Sequence, residues 1–200
     1  MYDANADSYA KMMDREIKLP VYKDLLGRLQ EQIANTPGIL LDTACGSGHM
    51  LAMFHSQYDS GRSLCGIDIS PRMVTVSKKR LGKKASIEPG DMRALPGMDS
   101  GSVGALINFF AVHHLDTDGI SASMLEWNRV LVQKGRLLVA AWEGSGAIDY
   151  GEESDIIALR YTAKDLTKIA IKSGFTVTQC NVESVEDFPM DAIYLECVKE

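Results

Sequence analysis

Ile39-Leu40-Leu41-Asp42-Thr43-Ala44-Cys45-Gly46-Ser47-Gly48 joins an apolar run to an acid and then to two glycines. The pattern lets a buried parallel strand turn sharply into a helix around a nucleotide-like ligand. Gly46 and Gly48 carry no Cβ, which permits the turn and a close backbone approach to the ligand. Asp42 falls at the carboxyl end of the strand, where open α/β sheets bind their ligands. Asp68 ends a second apolar run about 20 residues later, the spacing of an acid that accepts from a ribose hydroxyl pair. Asp91, in Gly90-Asp91-Met92, and Asn108, before Phe109, end two more such runs. Each of these strand ends thus offers a polar residue to one edge of a sheet.

The elements that must position them follow from hydrophobic periodicity and punctuation. Residues 8–34 read as amphipathic helix broken near Pro20 and closed by Thr36-Pro37-Gly38. Strands are expected at Ile39–Thr43, Ser63–Ile69, Ala85–Glu88, Ser102–Phe109 and Arg136–Trp142. Helices are expected from Ser47 to Tyr58, from Pro71 to Gly82 with Ser70 as N-cap, and from Gly119 to Gln133 closed by Gly135. Residues 144–160 read as an acidic loop. Thr162-Ala163-Lys164-Asp165 opens a helix that stops at Gly174. Phe175–Val182 and Ala192–Val198 alternate as a final strand pair, antiparallel because their connection is too short for a crossover helix. The fold expected is α/β: a Rossmann-like, mostly parallel seven-stranded sheet with the last strand antiparallel and helices on both faces. Residues 1–200 read as one domain, with 1–36 a helical cover and 37–200 a cofactor-binding core.

The net charge of −6 argues against nucleic acid and anionic membranes as partners. The chain shows no signal peptide and no apolar run approaching the roughly 20 residues of a membrane span. Cys45, Cys65, Cys180 and Cys197 are far apart and mostly within apolar runs, which suits a reducing cytoplasm. His49, His55, His113 and His114 lack ligand spacing with cysteine or acid, so no metal is expected. The cluster Lys78, Lys79, Arg80, Lys83 and Lys84 complements a helix C-terminus.

Taken in order, the motifs resemble those of class I S-adenosylmethionine-dependent methyltransferases of the small-molecule type. Leu41–Gly48 is similar to the family's first motif and Gly66-Ile67-Asp68-Ile69-Ser70 to its second. Gly90–Pro96 resembles the adenine-contacting segment, and Asn108–Leu115 the segment after strand four. Trp127–Leu131 with Lys134–Leu138 resembles the following helix and strand. The resemblance implies S-adenosylmethionine as cofactor and a small molecule as methyl acceptor. It assigns Asp42, Thr43, Ala44, Gly46 and Gly48 to the methionine side of the site, and Asp68 to the ribose. Ile69 and Met73 stand beside the adenine, Asp91 receives its amino group, and Met92 packs nearby. Asn108 and Phe109 line the methionine side, and Tyr9 belongs to a covering helix.

Methyl transfer from a sulfonium depends chiefly on alignment of nucleophile, methyl and sulfur. A base is needed only for an acceptor that holds its proton at neutral pH. His113 or His114 could be that base, His113 being the one taken as the site residue; adjacent side chains diverge, so at most one of them faces the pocket. Substrate contacts are expected from residues 2–22, from His113 and its neighbours, and from Trp142–Tyr161, which holds Trp142, Glu143, Tyr150, Arg160 and Tyr161. Two alternatives stay open on the residues alone. One is a nicotinamide-dependent oxidoreductase, against which Leu51 in place of a third glycine and the lack of a Tyr-x-x-x-Lys pair both count. The other is a non-catalytic module that binds S-adenosylmethionine.

Overall fold

The computed structural model describes residues 2–148, 158–185 and 190–200, with side chains from Ala6 onward. Helices α1 (Tyr2–Glu16) and α2 (Pro20–Ile33) precede β1 (Ile39–Asp42), α3 (His49–Gln57), β2 (Leu64–Asp68), α4 (Pro71–Leu81) and β3 (Ser86–Pro89). There follow β4 (Val103–Phe109), α5 (Thr117–Val130), β5 (Leu131–Trp142), α6 (Ala163–Lys172), β6 (Phe175–Ser184) and β7 (Asp191–Lys199). The strands form one seven-stranded sheet in the order β3-β2-β1-β4-β5-β7-β6. Neighbours from β3 to β5 run parallel, whereas β7 is antiparallel to both β5 and β6. The Rossmann-like reading with a reversed last strand is what the chain adopts.

Strand alternation feeds two cores. Leu41, Leu106, Leu137, Val139 and Leu195 face α5 and α6, where Trp127, Met124, Leu166 and Ile169 meet them. Leu40, Ala105, Ile107, Leu138 and Tyr194 face α2, α3 and α4, against Leu25, Leu26, Leu29, Phe54 and Val74. Glu196 on β7 interrupts the apolar pattern. Its buried carboxylate is matched by Arg28 of α2 at 2.7 Å and Gln32 at 3.2 Å, so α2 is tied to the sheet by charge as well as area.

The caps expected from sequence form. Ser70 accepts from Met73 N at 3.1 Å and Thr162 from Asp165 N at 3.1 Å. The boundary between α5 and β5 differs from the sequence reading. Asp116 accepts from Gly119 N at 2.8 Å and starts α5 at Thr117, before the expected Gly119. The helix stops at Val130, and Leu131 already pairs with Val103. Lys134 (φ 63°) and Gly135 then make a turn inside the strand, and pairing resumes at Arg136 opposite Ala105. The Lys-Gly pair reads locally as a helix end; strand pairing with β4 overrides it. Among the described residues no helix is long and apolar enough to cross a membrane.

Candidate cofactor and acceptor cleft

The order β2-β1-β4 reverses chain direction of travel at β1, and a crevice opens over the carboxyl ends of these strands. The cleft there has a volume of about 420 Å³. Tyr9, Thr43, Ala44, Gly46, Asp68, Ile69, Met73, Asp91, Met92 and Phe109, all singled out from sequence, line it. A chamber of about 50 Å³ adjoins it, shares Tyr9, Ala44, Gly46 and Phe109, and adds Asp42.

Asp68 is fixed from both sides. Its Oδ2 accepts from Gly46 N at 2.7 Å and its Oδ1 from Ser70 N at 2.9 Å. These bonds orient the carboxylate where it lines the cleft. Asp68 therefore serves the helix start and the glycine turn as well as the cleft. Gly46 (φ 50°) brings bare backbone to the cleft wall, with the Tyr9 ring 3.4 Å from where its Cβ would sit.

Asp42 is buried, and its Oδ1 accepts only a 3.2 Å bond from Ala44 N. Burial, opposed by that bond and reinforced by the charge of Asp68, pushes its carboxyl up to about 7. Asp91 is gripped by Arg93, whose Nε and Nη2 reach its two oxygens at 2.6–3.0 Å and hold its carboxyl below the usual range. Ile69, 74 % exposed, presents an uncovered apolar face to the same end of the cleft.

Three expected residues stand elsewhere. Gly48 (φ 80°) caps α3 and faces α4, where a Cβ would lie 2.5 Å from Ser77 Oγ and 3.0 Å from Leu81 Cδ1. Its role is helix packing, with no surface on the cleft. Gly48→Ala should lower stability by about 1–3 kcal/mol through backbone strain and this clash; a thermal unfolding midpoint within about 1 °C of the wild type would contradict it. Asn108 is fully buried behind the cleft, donating to Thr43 Oγ1 at 3.0 Å and to Met92 Sδ at 3.3 Å. It braces the cleft wall from behind and lines nothing itself.

The third correction concerns His113. It is 3 % exposed, neither ring nitrogen has a hydrogen-bond partner among the described residues, and burial next to His114 pushes its pKa down to about 3. An imidazole so placed stays neutral and does not line the cleft. The adjacent His114 lines the cleft instead, its ring 4.0 Å from that of His113. The short 3-10 turn Val112–His114 decides which ring faces out.

Around these lie residues to which the sequence reading gave no individual role. Phe110 holds a positive φ of 50° and stacks on Trp142 at 4.5 Å; with Ala111, Leu115 and Arg93 it completes the cleft wall. Met13, Tyr22, Ser47, His49 and Met50 complete the smaller chamber. Of the expected substrate loop, Trp142 supports Phe110, Glu143 accepts from Ala163 N at 2.8 Å, and the Tyr161 hydroxyl donates to the Leu115 carbonyl. Arg160 packs over Gly144. None of these four lines the cleft, and Tyr150 lies outside the described residues.

A doubly wound sheet with a reversed last strand, a Gly-Ser-Gly turn and acids at successive strand ends defines the class I methyltransferase architecture. Residues 40–135 match the methyltransferase domain family. Over this segment the chain is similar to the class I S-adenosylmethionine-dependent methyltransferases. An uncharacterized methyltransferase of Bacillus mycoides is 25% identical over 136 residues, which cover 67% of this chain and 60% of that protein. The chain thus matches less than two thirds of that relative's length. Among solved structures, the 1,6-didemethyltoxoflavin N1-methyltransferase of Burkholderia thailandensis, with 1,6-didemethyltoxoflavin and S-adenosylhomocysteine bound, superposes with a TM-score of 0.74. It is 17% identical, over 96% of this chain and 84% of that one. The magnesium protoporphyrin IX methyltransferase of Synechocystis, with S-adenosylmethionine bound, gives 0.68 at 19% identity, over 90% and 78%.

Proposed function

We propose that this chain transfers a methyl group from S-adenosylmethionine to a small, largely apolar acceptor held in the cleft, with residues 1–36 covering the site and residues 37–200 binding the cofactor. The observation that carries the reading is Asp68: a carboxylate at the carboxyl end of β2, oriented by Gly46 N and Ser70 N and lining a cleft of adequate volume. The donor set fits the cofactor. Asp68 takes the ribose hydroxyls, Ile69, Met73 and Met92 supply apolar surface for the adenine, and Asp91 with Arg93 marks the adenine rim. Asp42, buried and without a cationic partner among the described residues, receives the cofactor's ammonium group. A bound cofactor supplies an electrophilic methyl on its sulfonium.

The acceptor takes the space bounded by Tyr9, Phe109, Phe110, Ala111, His114 and Leu115. These walls select shape and apolar surface, and Tyr9 and Phe109 exclude water from the line of attack. For an acceptor that is protonated at neutral pH, His114 is the imidazole placed to take the proton. The oxidoreductase alternative has no support at the turn: Leu51, where a third glycine would stand, is fully buried in the core on α3.

Incubating the purified chain with methyl-labelled S-adenosylmethionine and a fractionated small-metabolite extract should give a labelled product of low molecular mass. An Asp68→Ala control should reduce the label at least tenfold, in line with loss of cofactor hydrogen bonds. Label that appears only on protein or nucleic acid would overturn the acceptor class.

A further inference from the structure

The cover helix α1 is held down in an unusual way. Its described buried residues are small, Ala6 and Ala10, whereas α2 buries Tyr22, Leu25, Leu26, Leu29 and Ile33. Among the described side chains of α1 no large apolar one is fully buried, Tyr9 and Met13 being half-buried, and polar ties add to the hold. Asp14, one turn from its end, is the principal one. Its Oδ1 accepts from His49 Nε2 at 2.8 Å and from Arg80 Nη2 at 3.1 Å.

Both donors also hold the glycine turn. His49 Nδ1 pairs with Ser47 Oγ at 2.8 Å, and Arg80 Nε donates to the Ser47 carbonyl at 2.9 Å. An ionised carboxylate can only accept, so Nε2 carries the imidazole hydrogen and the Ser47 hydroxyl donates to Nδ1. Ser47 and His49 are both buried, at 2 % and 4 % exposure, whereas the Asp14 side chain is 55 % exposed, so the tie is anchored from its buried histidine end. One oxygen of Asp14 thus joins α1 to α3, to α4 and, through both, to the turn between Gly46 and Gly48. Upstream on α1, Tyr9 lies against Gly46 and lines both chambers. The other tie of α1, Asp7 to Arg72 at 2.7 Å, joins two exposed side chains.

We infer that Asp14 and His49 are positioning residues of the cofactor site: they latch α1 over the glycine turn, and cofactor and product leave when the latch opens. The inference rests on the cofactor reading above. Cover elements held by few apolar contacts are drawn from the low-stability end of a fold and gate ligand release. Breaking the latch therefore acts on the residence time of the bound molecule rather than on the contacts that hold it.

The test is stopped-flow or surface-based kinetics with S-adenosylhomocysteine on Asp14→Ala, Asp14→Asn and Asp7→Ala, with amide hydrogen exchange on the same proteins. Asp14→Ala should raise the dissociation rate about tenfold, the loss of two charge-assisted hydrogen bonds being moderated by the exposure of the carboxylate. Asn at this position retains an accepting oxygen without the charge, and should fall between Ala and the wild type. Asp7→Ala, which cuts the exposed tie, should stay within about twofold. Exchange in the ligand-free Asp14→Ala protein should accelerate in α1 and stay unchanged in α2.

An unchanged dissociation rate, or exchange that accelerates equally in α1 and α2, overturns the latch. Failure of the wild type to bind S-adenosylhomocysteine overturns the cofactor reading, and with it the role given to Asp14 and His49 in residence time. Wild-type binding with unaltered Asp14→Ala kinetics overturns the latch alone.

Discussion

Asp68→Ala should weaken S-adenosylhomocysteine binding by about a hundredfold or more. Two hydrogen bonds to a charged acceptor are lost, each worth roughly 1.5–3 kcal/mol. The variant should also lose stability, on the order of 1–3 kcal/mol, because Gly46 N and Ser70 N lose their acceptor. Asp68→Asn separates the two effects. Its single amide oxygen can keep one backbone donor, but the amide nitrogen cannot accept from a hydroxyl. Its stability should recover more than its affinity. Calorimetric titration and thermal unfolding measure both, and an Asp68→Ala protein that binds within about fivefold of the wild type would remove the ribose assignment.

Asp42→Asn should move stability and affinity in opposite directions. In the ligand-free protein the Asp42 carboxyl is raised from 3.8 to about 7 by burial. A raised carboxyl pKa means the folded state holds its proton more tightly than the unfolded state. The stability this contributes is fully present below pH 3.8 and is lost as pH rises through about 7. A neutral Asn avoids the loss, so above pH 7 the variant should be more stable by roughly 1–4 kcal/mol. A ligand ammonium beside Asp42 favours the charged form. Wild-type affinity for S-adenosylhomocysteine should therefore climb with pH until about 7 and then level. In Asp42→Asn the climb should vanish and affinity above pH 7 should drop about tenfold or more. Denaturant titrations at pH 5.5 and 8, paired with calorimetry, read all of this. A variant less stable at pH 8, or one that keeps the wild-type pH profile of binding, would contradict the account.

The parts legible in the sequence share a physical cause: they are fixed by local chemistry. Strand β1 shows as Ile39-Leu40-Leu41, the α4 start as Ser70-Pro71, and the closing pair as period-two alternation with too little chain between for a crossover. Asp42, Asp68 and Asp91 were readable because an acid at the end of an apolar run has few other reasons to be there. What escaped depends on tertiary neighbours. Gly48 faces Ser77 across the α3–α4 contact, and no spacing rule distinguishes that from approach to a ligand. The choice between His113 and His114 turns on the direction of one 3-10 turn. Phe110 gave no sign of its left-handed backbone, since a phenylalanine rarely adopts one without Trp142 and Tyr194 to stack against. The Asp14–His49 contact spans 35 positions and belongs to no motif.

Titration of the unmodified chain with S-adenosylhomocysteine, and separately with NAD, tests the central claim most directly. The account predicts saturable one-to-one binding of S-adenosylhomocysteine, with a dissociation constant on the order of micromolar, and no heat with NAD. Saturable binding of NAD with none of S-adenosylhomocysteine would contradict it.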